Sequence, residues 1–208
     1  GIDTEDIISS RIEKSQILYS YIRIASGRKD AGFSFNPPDG INGIHFGETE
    51  EPFDTDRVKA VSDLFSGTPI CYHVSEDIIT EIWAKFAMNV GQNIPQAILG
   101  CGIGAYYDSE HMAEIKSMLL SELFKIAEVK NIIIPEASLE FAAARTSKYL
   151  RFSTLQDLDA GRHTEIDMLS GVIMRLGEEL GIDVPYNTMA YHLIKAIEEK
   201  NDGKFDYA

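Results

Sequence analysis

The stretch SEDIITEIWAKFAMNVGQNIPQAIL, Ser75 to Leu99, constrains the fold of this chain more than any other. Apolar residues recur at helical spacing over about 24 positions, enough for a helix at the centre of a helical assembly. Ser75 is the expected N-cap, and Pro95 predicts a kink or break. Yet Lys85, Asn89 and Asn93 fall four residues apart within this pattern. Residues so spaced share a helix face, so a lysine and two amides form a polar line at intervals of about 6 Å. A solvated stripe of an amphipathic helix is one explanation. The flanks oppose it, because Asn is a weak helix former and an exposed stripe is more readily built from Glu, Lys or Gln. A lysine beside two amides suits the wall of a cleft holding an oxygen-rich ligand, and lysine can protonate a developing alkoxide.

On the N-terminal side of this helix the chain changes character near residue 53. A short helix opened by Asp3 or Thr4 is followed by QILYSYIRIAS (Gln16 to Ser26), GFSFNP (Gly32 to Pro37) and GIHFGE (Gly43 to Glu48). These pieces are β-branched or aromatic and are separated by Gly, Asp, Asn and Pro, the pattern of a small antiparallel sheet. Three strands and one helix are thin for an independent domain. After Asp54 helices dominate: DTDRVKAVSDLFSG ending at Gly67, then after the strand-like ICYHV the long helix, EHMAEIKSMLLSELFKIAEVKN, HTEIDMLSGVIMRLGEELG ending at Gly181, and NTMAYHLIKAIEEK opened by Asn187. The division predicted is 1–53 and 54–208, in an α+β chain whose larger part is helical.

A second polar concentration lies in FSTLQDLDAGRHTEIDMLSG, Phe152 to Gly171. Ser153 to Gln156 has the form of a capping box, and a helix start favours anions. Arg162, His163, Thr164, Glu165 and Asp167 then enter an apolar helix. Capping accounts for Ser153, Gln156 and Glu165 singly, but less well for the whole group together. If the helix is regular, Asp167 faces about 200° away from Glu165.

Charge and composition remove several classes of function. Lysine and arginine number 19 against 33 Asp and Glu, a net charge of -14, so a phosphate backbone would be repelled by most of the surface. No apolar run reaches 18 residues and the first residues are acidic, so neither a membrane span nor a signal peptide is predicted and the cytoplasm is the expected location. Cys71 and Cys101 are read as reduced, packed thiols, and the five histidines show no metal-ligand spacing, so no metal is predicted. GCGIGA, Gly100 to Ala105, matches G-x-G-x-x-A but follows a helix instead of a strand, so it is read as a glycine-rich turn.

The two polar stretches together resemble a known family. Lys85-x3-Asn89-x3-Asn93 with Trp83 before it, then S-T-L-Q-D-x4-R-H-T-E-I-D-x3-G from Ser153, then G-I-D-V-P-x-N-T, are similar to the substrate-domain half of ketopantoate reductase, 2-dehydropantoate 2-reductase. The resemblance covers most of the chain. It implies a helical domain like the C-terminal domain of 6-phosphogluconate dehydrogenase, preceded in residues 1–53 by strands left from a Rossmann-type NADP-binding domain, and a homodimer through the helical part. The implied reaction is NADPH-dependent reduction of ketopantoate to pantoate on the route to pantothenate and coenzyme A. Lys85 then corresponds to the general acid and Glu165 to the carboxylate that orients the substrate hydroxyl. Asn89, Asn93 and Ser153 correspond to substrate-binding residues.

Two departures accompany the resemblance. The family usually has Asn three positions before the serine, where this chain has Leu150, which admits a related 2-oxo acid reductase of different substrate. The Gly-rich turn that grips the cofactor pyrophosphate is not in this sequence, so cofactor-binding residues are unassigned and the chain alone is expected to be inactive. A catalytically silent helical assembly module is the alternative from another class.

Overall fold

The computed structural model describes residues 1–24, 26–29, 32–35, 42–139, 147–205 and 207. The described chain divides into two compact units, Asp3–Ile82 and Trp83–Ala208 with Gly1–Ile2.

The first unit holds helix α1 (Thr4–Ser9), strands β1 (Tyr19–Arg23), β2 (Ser26–Lys29), β3 (Gly32–Phe35) and β4 (Gly43–Gly47), helix α2 (Asp56–Ser66) and strand β5 (Tyr72–Val74). All three strand pieces expected before residue 53 contain strands, but the unit is not purely antiparallel. β1 pairs antiparallel with β4, whereas β4 pairs parallel with β5, aligning Ile44 with Tyr72 and Phe46 with Val74. Parallel neighbours need a crossover, and α2, which packs on β5, supplies it. The sheet therefore runs past the change of character at residue 53, because the strand completing it comes after a helix. β2 and β3 form a separate two-stranded sheet, while Asn36 and Pro37 at the end of the expected strand lie outside the described residues.

Arg57 on α2 organises the turn into β1. It donates through Nε to Glu48 Oε1 at 2.6 Å and through Nη1 to the carbonyls of Ser15 and Ile17 at 2.7 and 3.1 Å. The guanidinium holds the buried Glu48 carboxyl below the usual carboxylate range, against the opposing pull of burial. Tyr21, His45 and His73 stack across β1, β4 and β5 with ring centroids 4.6 Å apart at each step, so both histidines are part of a ring ladder. Cys71 and Cys101 are free thiols.

Helix α3 (Ile78–Met88) leads into the second unit and continues through a π-helical turn (Asn89–Asn93) into α4 (Ile94–Leu99). Its cap is Asp77, whose Oδ1 accepts from Thr80 N at 3.4 Å; Ser75, the expected cap, instead accepts from Asp77 N at 3.1 Å. The shift follows from β5, which keeps the backbone extended up to Val74 and delays the first helical turn. The other helices are α5 (Ala105–Asp108), α6 (Glu110–Val129), α7 (Ser153–Asp159), α8 (Ser170–Leu180) and α9 (Pro185–Asn201).

The fold is thus α+β with a predominantly helical second part. Its core is the apolar side of the central helix, Trp83, Phe86, Ala87, Val90, Ile94 and Ala97, all buried. α6 packs on the π turn, α4 packs on α7 and α9, and α8 packs on α6 and α9. Among the described residues no helix is long and apolar enough to cross a membrane, and no group of three or more His, Cys, Asp and Glu could hold a metal ion.

Candidate active site

The polar line begins on α3, where Lys85 is half-buried, and runs into the π turn, where Asn89 is half-buried and Asn93 buried. Pro95 predicts a kink or break. The helix instead widens one turn earlier. Proline cannot donate to the carbonyl four residues back and its ring collides with it. That carbonyl belongs to Gly91, inside the π turn, where i to i+5 closure carries it away from the ring. Gly91 also allows α6 to approach, since a Cβ there would stand 3.0 Å from Leu120 Cδ1.

The wide turn also acts on the line itself. In an α-helix residues four apart diverge by about 40°, so three such residues drift around the helix. A π turn rotates the chain less per residue, which opposes that drift between Asn89 and Asn93.

Ser153 is the first residue of α7, not its cap. The extended residue Phe152 occupies the cap position, and no side chain caps the helix. The expected capping box does not form: Gln156 Nε2 donates to Arg151 O at 2.6 Å, and Phe152 N donates to Gln96 Oε1 at 2.6 Å. Gln96, fully buried on α4, also donates through Nε2 to Leu150 O at 3.0 Å. Both ends of one amide thus hold the strand of chain that delivers Ser153. α7, which opens with Ser153, packs against the π turn that carries Asn89 and Asn93 and against α4. Gln96→Ala should lower stability by about 1–3 kcal/mol, since it removes the acceptor of Phe152 N, while Leu150 O keeps Ile103 N. It should also speed amide exchange at Phe152; unchanged protection there would show that Gln96 does not hold this segment.

The expected helix through Glu165 is broken. Residues 161–165 are irregular, Ile166–Met168 form a 3₁₀ turn, and Leu169, at φ −109° and ψ −96°, separates it from α8. Glu165 and Asp167 therefore do not share an α-helix, and what parts them is the partner each has. Most of the cluster is engaged by α9. Thr164 N and Oγ1 both donate to Glu198 Oε1 at 2.7 Å, His163 Nε2 lies 2.9 Å from Asp202 Oδ2, and Tyr191 Oη donates to Asp167 Oδ1 at 2.7 Å. The Tyr191 hydroxyl, and after it Lys195, hold the Asp167 carboxyl below the ordinary range despite some burial. Arg162 pairs with Asp157 at 2.7 Å. Glu165, in the middle of this segment, is exposed. Helix packing and capping thus account for its neighbours and leave Glu165 for solvent or a ligand.

The Gly100–Ala105 turn does not fit a dinucleotide. It lies between two helices, with Gly100 left-handed at the end of α4 (φ 64°). A Cβ on Gly102 would meet Lys148 O at 2.3 Å and one on Gly104 would meet Lys148 Cβ at 2.6 Å, so chain 148–149 covers the backbone a pyrophosphate would need. These glycines serve close packing.

Three groups of residues could not be read from the sequence: Gln96, the α9 set Tyr191, Lys195, Glu198 and Asp202, and Glu122 on α6, whose carboxylate caps α9. Only the α9 set left a signal, a polar stripe at helical spacing on the last helix.

The family model described as "Ketopantoate reductase PanE/ApbA C terminal" matches residues 77–198. The chain is 26% identical over 202 residues to a 2-dehydropantoate 2-reductase of Streptococcus pyogenes serotype M6, covering 95% of this chain and 65% of that protein. It spans about 65% of the length of the curated relatives it matches. A ketopantoate reductase of Ralstonia eutropha JMP134 superposes with a TM-score of 0.80 at 24% identity, over 97% of this chain and 65% of the other. A D-mandelate dehydrogenase in complex with NADH gives 0.81 at 23% identity, over 96% and 68%. These two similarities are of fold.

Proposed function

Because the chain belongs to the ketopantoate reductase family, we propose that it is the substrate-binding part of a reductase that converts 2-dehydropantoate to pantoate in pantothenate synthesis in the cytoplasm. The observation that carries this is the exposed Glu165 on a segment whose neighbours mostly have partners on α9, in a unit whose central helix bears Lys85 and the two amides. Residues 1–53 are proposed as the end of a Rossmann-type domain and 54–208 as the catalytic domain. The parallel pair β4–β5 with its helical crossover supports a Rossmann-type origin for this sheet, whose last strand, β5, lies beyond residue 53.

In this proposal Asn89, Asn93 and Ser153 bind the oxygen atoms of the substrate, Lys85 delivers a proton to the oxygen of its 2-oxo group, and Glu165 accepts a hydrogen bond from its hydroxyl. Bound elsewhere in the complete protein, the cofactor NADP would supply the hydride in its reduced form, NADPH, since the glycine turn of this chain does not fit it. A homodimer through the helical unit belongs to the same proposal, supported by Tyr186, Met189 and Leu193, exposed along one side of α9.

One observation favours a neighbouring substrate. Where the family offers an amide, Leu150 offers an apolar side chain, and its carbonyl is taken up by Ile103 N at 2.9 Å and by Gln96. A related 2-oxo acid lacking one polar group would suit such a pocket. Steady-state kinetics of the complete protein over a panel of 2-oxo acids decides between them. Glu165→Ala should raise KM for 2-dehydropantoate and lower kcat together, because an acceptor for the substrate hydroxyl acts both before and in the transition state. Equal use of the deoxy analogue by the unmodified protein would favour the second substrate class.

A further inference from the structure

We propose that Glu198 is a positioning residue: acting through Thr164, it fixes where the Glu165 carboxylate stands, with Tyr191, Lys195 and Asp202 holding the segment on either side. The inference rests on Glu165 being the group that meets substrate.

Tyr191, Lys195 and Glu198 on α9 and Asp202, its C-cap, fall at i, i+4, i+7 and i+11, one stripe along the helix. The segment they face, 161–165, has no regular structure; backbone bonds tie its ends, Arg162 N to Asp157 O at 2.8 Å and Met168 N to Glu165 O at 2.9 Å. Side chains hold what lies between. Glu198 is 1% exposed, and its Oε1 takes both donors of Thr164. The Thr164 hydroxyl also accepts from Ile166 N at 3.2 Å, so the residues on both sides of Glu165 are tied to one buried carboxylate, Thr164 directly and Ile166 through the Thr164 hydroxyl. Lys195 Nζ lies 3.0 Å from the other oxygen, Oε2, and 3.4 Å from Asp167 Oδ2, linking the two anchor points. His163 is held at its far end by Asp202.

An ion pair on a buried carboxylate is a poor device for stability, because apolar side chains of similar volume usually serve as well or better. What it supplies is direction, since each donor must point at a fixed oxygen. Burial pushes the Glu198 carboxyl upward, but the Thr164 donors and the Lys195 ammonium outweigh it and leave the group below its ordinary range, charged near neutrality. The arrangement thus holds the backbone of an exposed acid rigidly while leaving its side chain unobstructed. Misplacing a catalytic group by about 1 Å can cost on the order of 100-fold.

The test is a double-mutant cycle in the complete reductase, reading kcat and KM for 2-dehydropantoate. Glu198→Ala should reduce kcat/KM by about 10–100-fold. Thr164→Val, which removes one hydroxyl and keeps the backbone donor, should cause a smaller loss of the same kind and serves if Glu198→Ala does not fold. Glu198→Gln, which keeps the acceptor for Thr164, should recover most of the loss. In a Glu165→Ala background each substitution should change kcat/KM by less than about twofold, because the group being positioned is gone. Equal losses in both backgrounds overturn the inference and leave the site intact. Unchanged kinetics for Glu165→Ala alone overturn the site assignment, and the inference with it.

Discussion

Replacing Lys85 by alanine in the complete reductase is expected to lower turnover by about 10²–10⁴, equivalent to roughly 3–5 kcal/mol of barrier. Reduction of a 2-oxo group leaves negative charge on its oxygen, and a positioned acid stabilises that charge only as it develops. The loss should therefore fall on kcat and on kcat/KM alike, with KM and cofactor affinity little changed. Lys85 stands in the last turn of α3, half-buried, just before the widened turn that carries Asn89 and Asn93. Arginine should not restore the rate, because its guanidinium stays protonated and presents a planar fork in place of a compact ammonium. Single-turnover kinetics separate the chemical step from substrate binding and product release. Near-normal turnover of Lys85→Ala would remove the lysine from the mechanism.

The largest expected loss of stability comes from a residue away from the substrate, Glu122 of α6. Its side chain is 1% exposed and serves as the N-terminal cap of α9. Oε1 accepts from Tyr186 N at 2.7 Å, and Oε2 accepts from Asn187 N at 2.9 Å and from Asn187 Nδ2 at 2.7 Å. Asn187 is itself fully buried, donating to Leu119 O at 3.0 Å and accepting from Ser170 Oγ at 3.2 Å, so α6, α8 and α9 meet at this point. α9 opens with Pro185, and Val184, at its cap position, offers no polar side chain, so the borrowed carboxylate does the capping. A negative group there also meets the positive end of the helix dipole. Glu122→Ala leaves three donors without this acceptor in a dry site and should cost about 3–5 kcal/mol. Urea unfolding of the chain should show the midpoint falling at nearly constant slope. A loss below about 1 kcal/mol, the scale of an ordinary exposed cap, would mean that water replaces the carboxylate at this junction.

Much of this was legible in the sequence because it is local. Period and punctuation gave α2, α6 and the end of α8 at Gly181, where the left-handed φ of 67° requires little more than a glycine. Lys85, Asn89 and Asn93 stood out because amides are poor company for a central helix. The segment from Ser153 to Asp167 stood out through the density of its polar residues.

What the sequence obscured is of a different kind. The capping-box pattern at Ser153 was a false signal, because Gln96, 56 residues earlier, had already claimed Phe152 N. The helical pattern through His163 to Leu169 was interrupted because Glu198, 34 residues later, binds Thr164 in an irregular conformation. The opening of α9 was placed at Asn187, two residues late, because its cap comes from a helix 65 residues away in sequence.

The sequence by itself therefore determined most of the helices, the residues proposed to carry the chemistry and the family the chain resembles, since propensity, period and motif spacing act over a few residues. Tertiary structure alone decided how those residues are held: the π turn, the Gln96 clamp, the Glu122 cap and the α9 stripe under Glu165. Their hydrogen bonds join segments tens of residues apart, or depend on where a neighbouring helix lies. Such bonds leave no period in the chain, and they become necessary only once packing has removed water from the groups they satisfy.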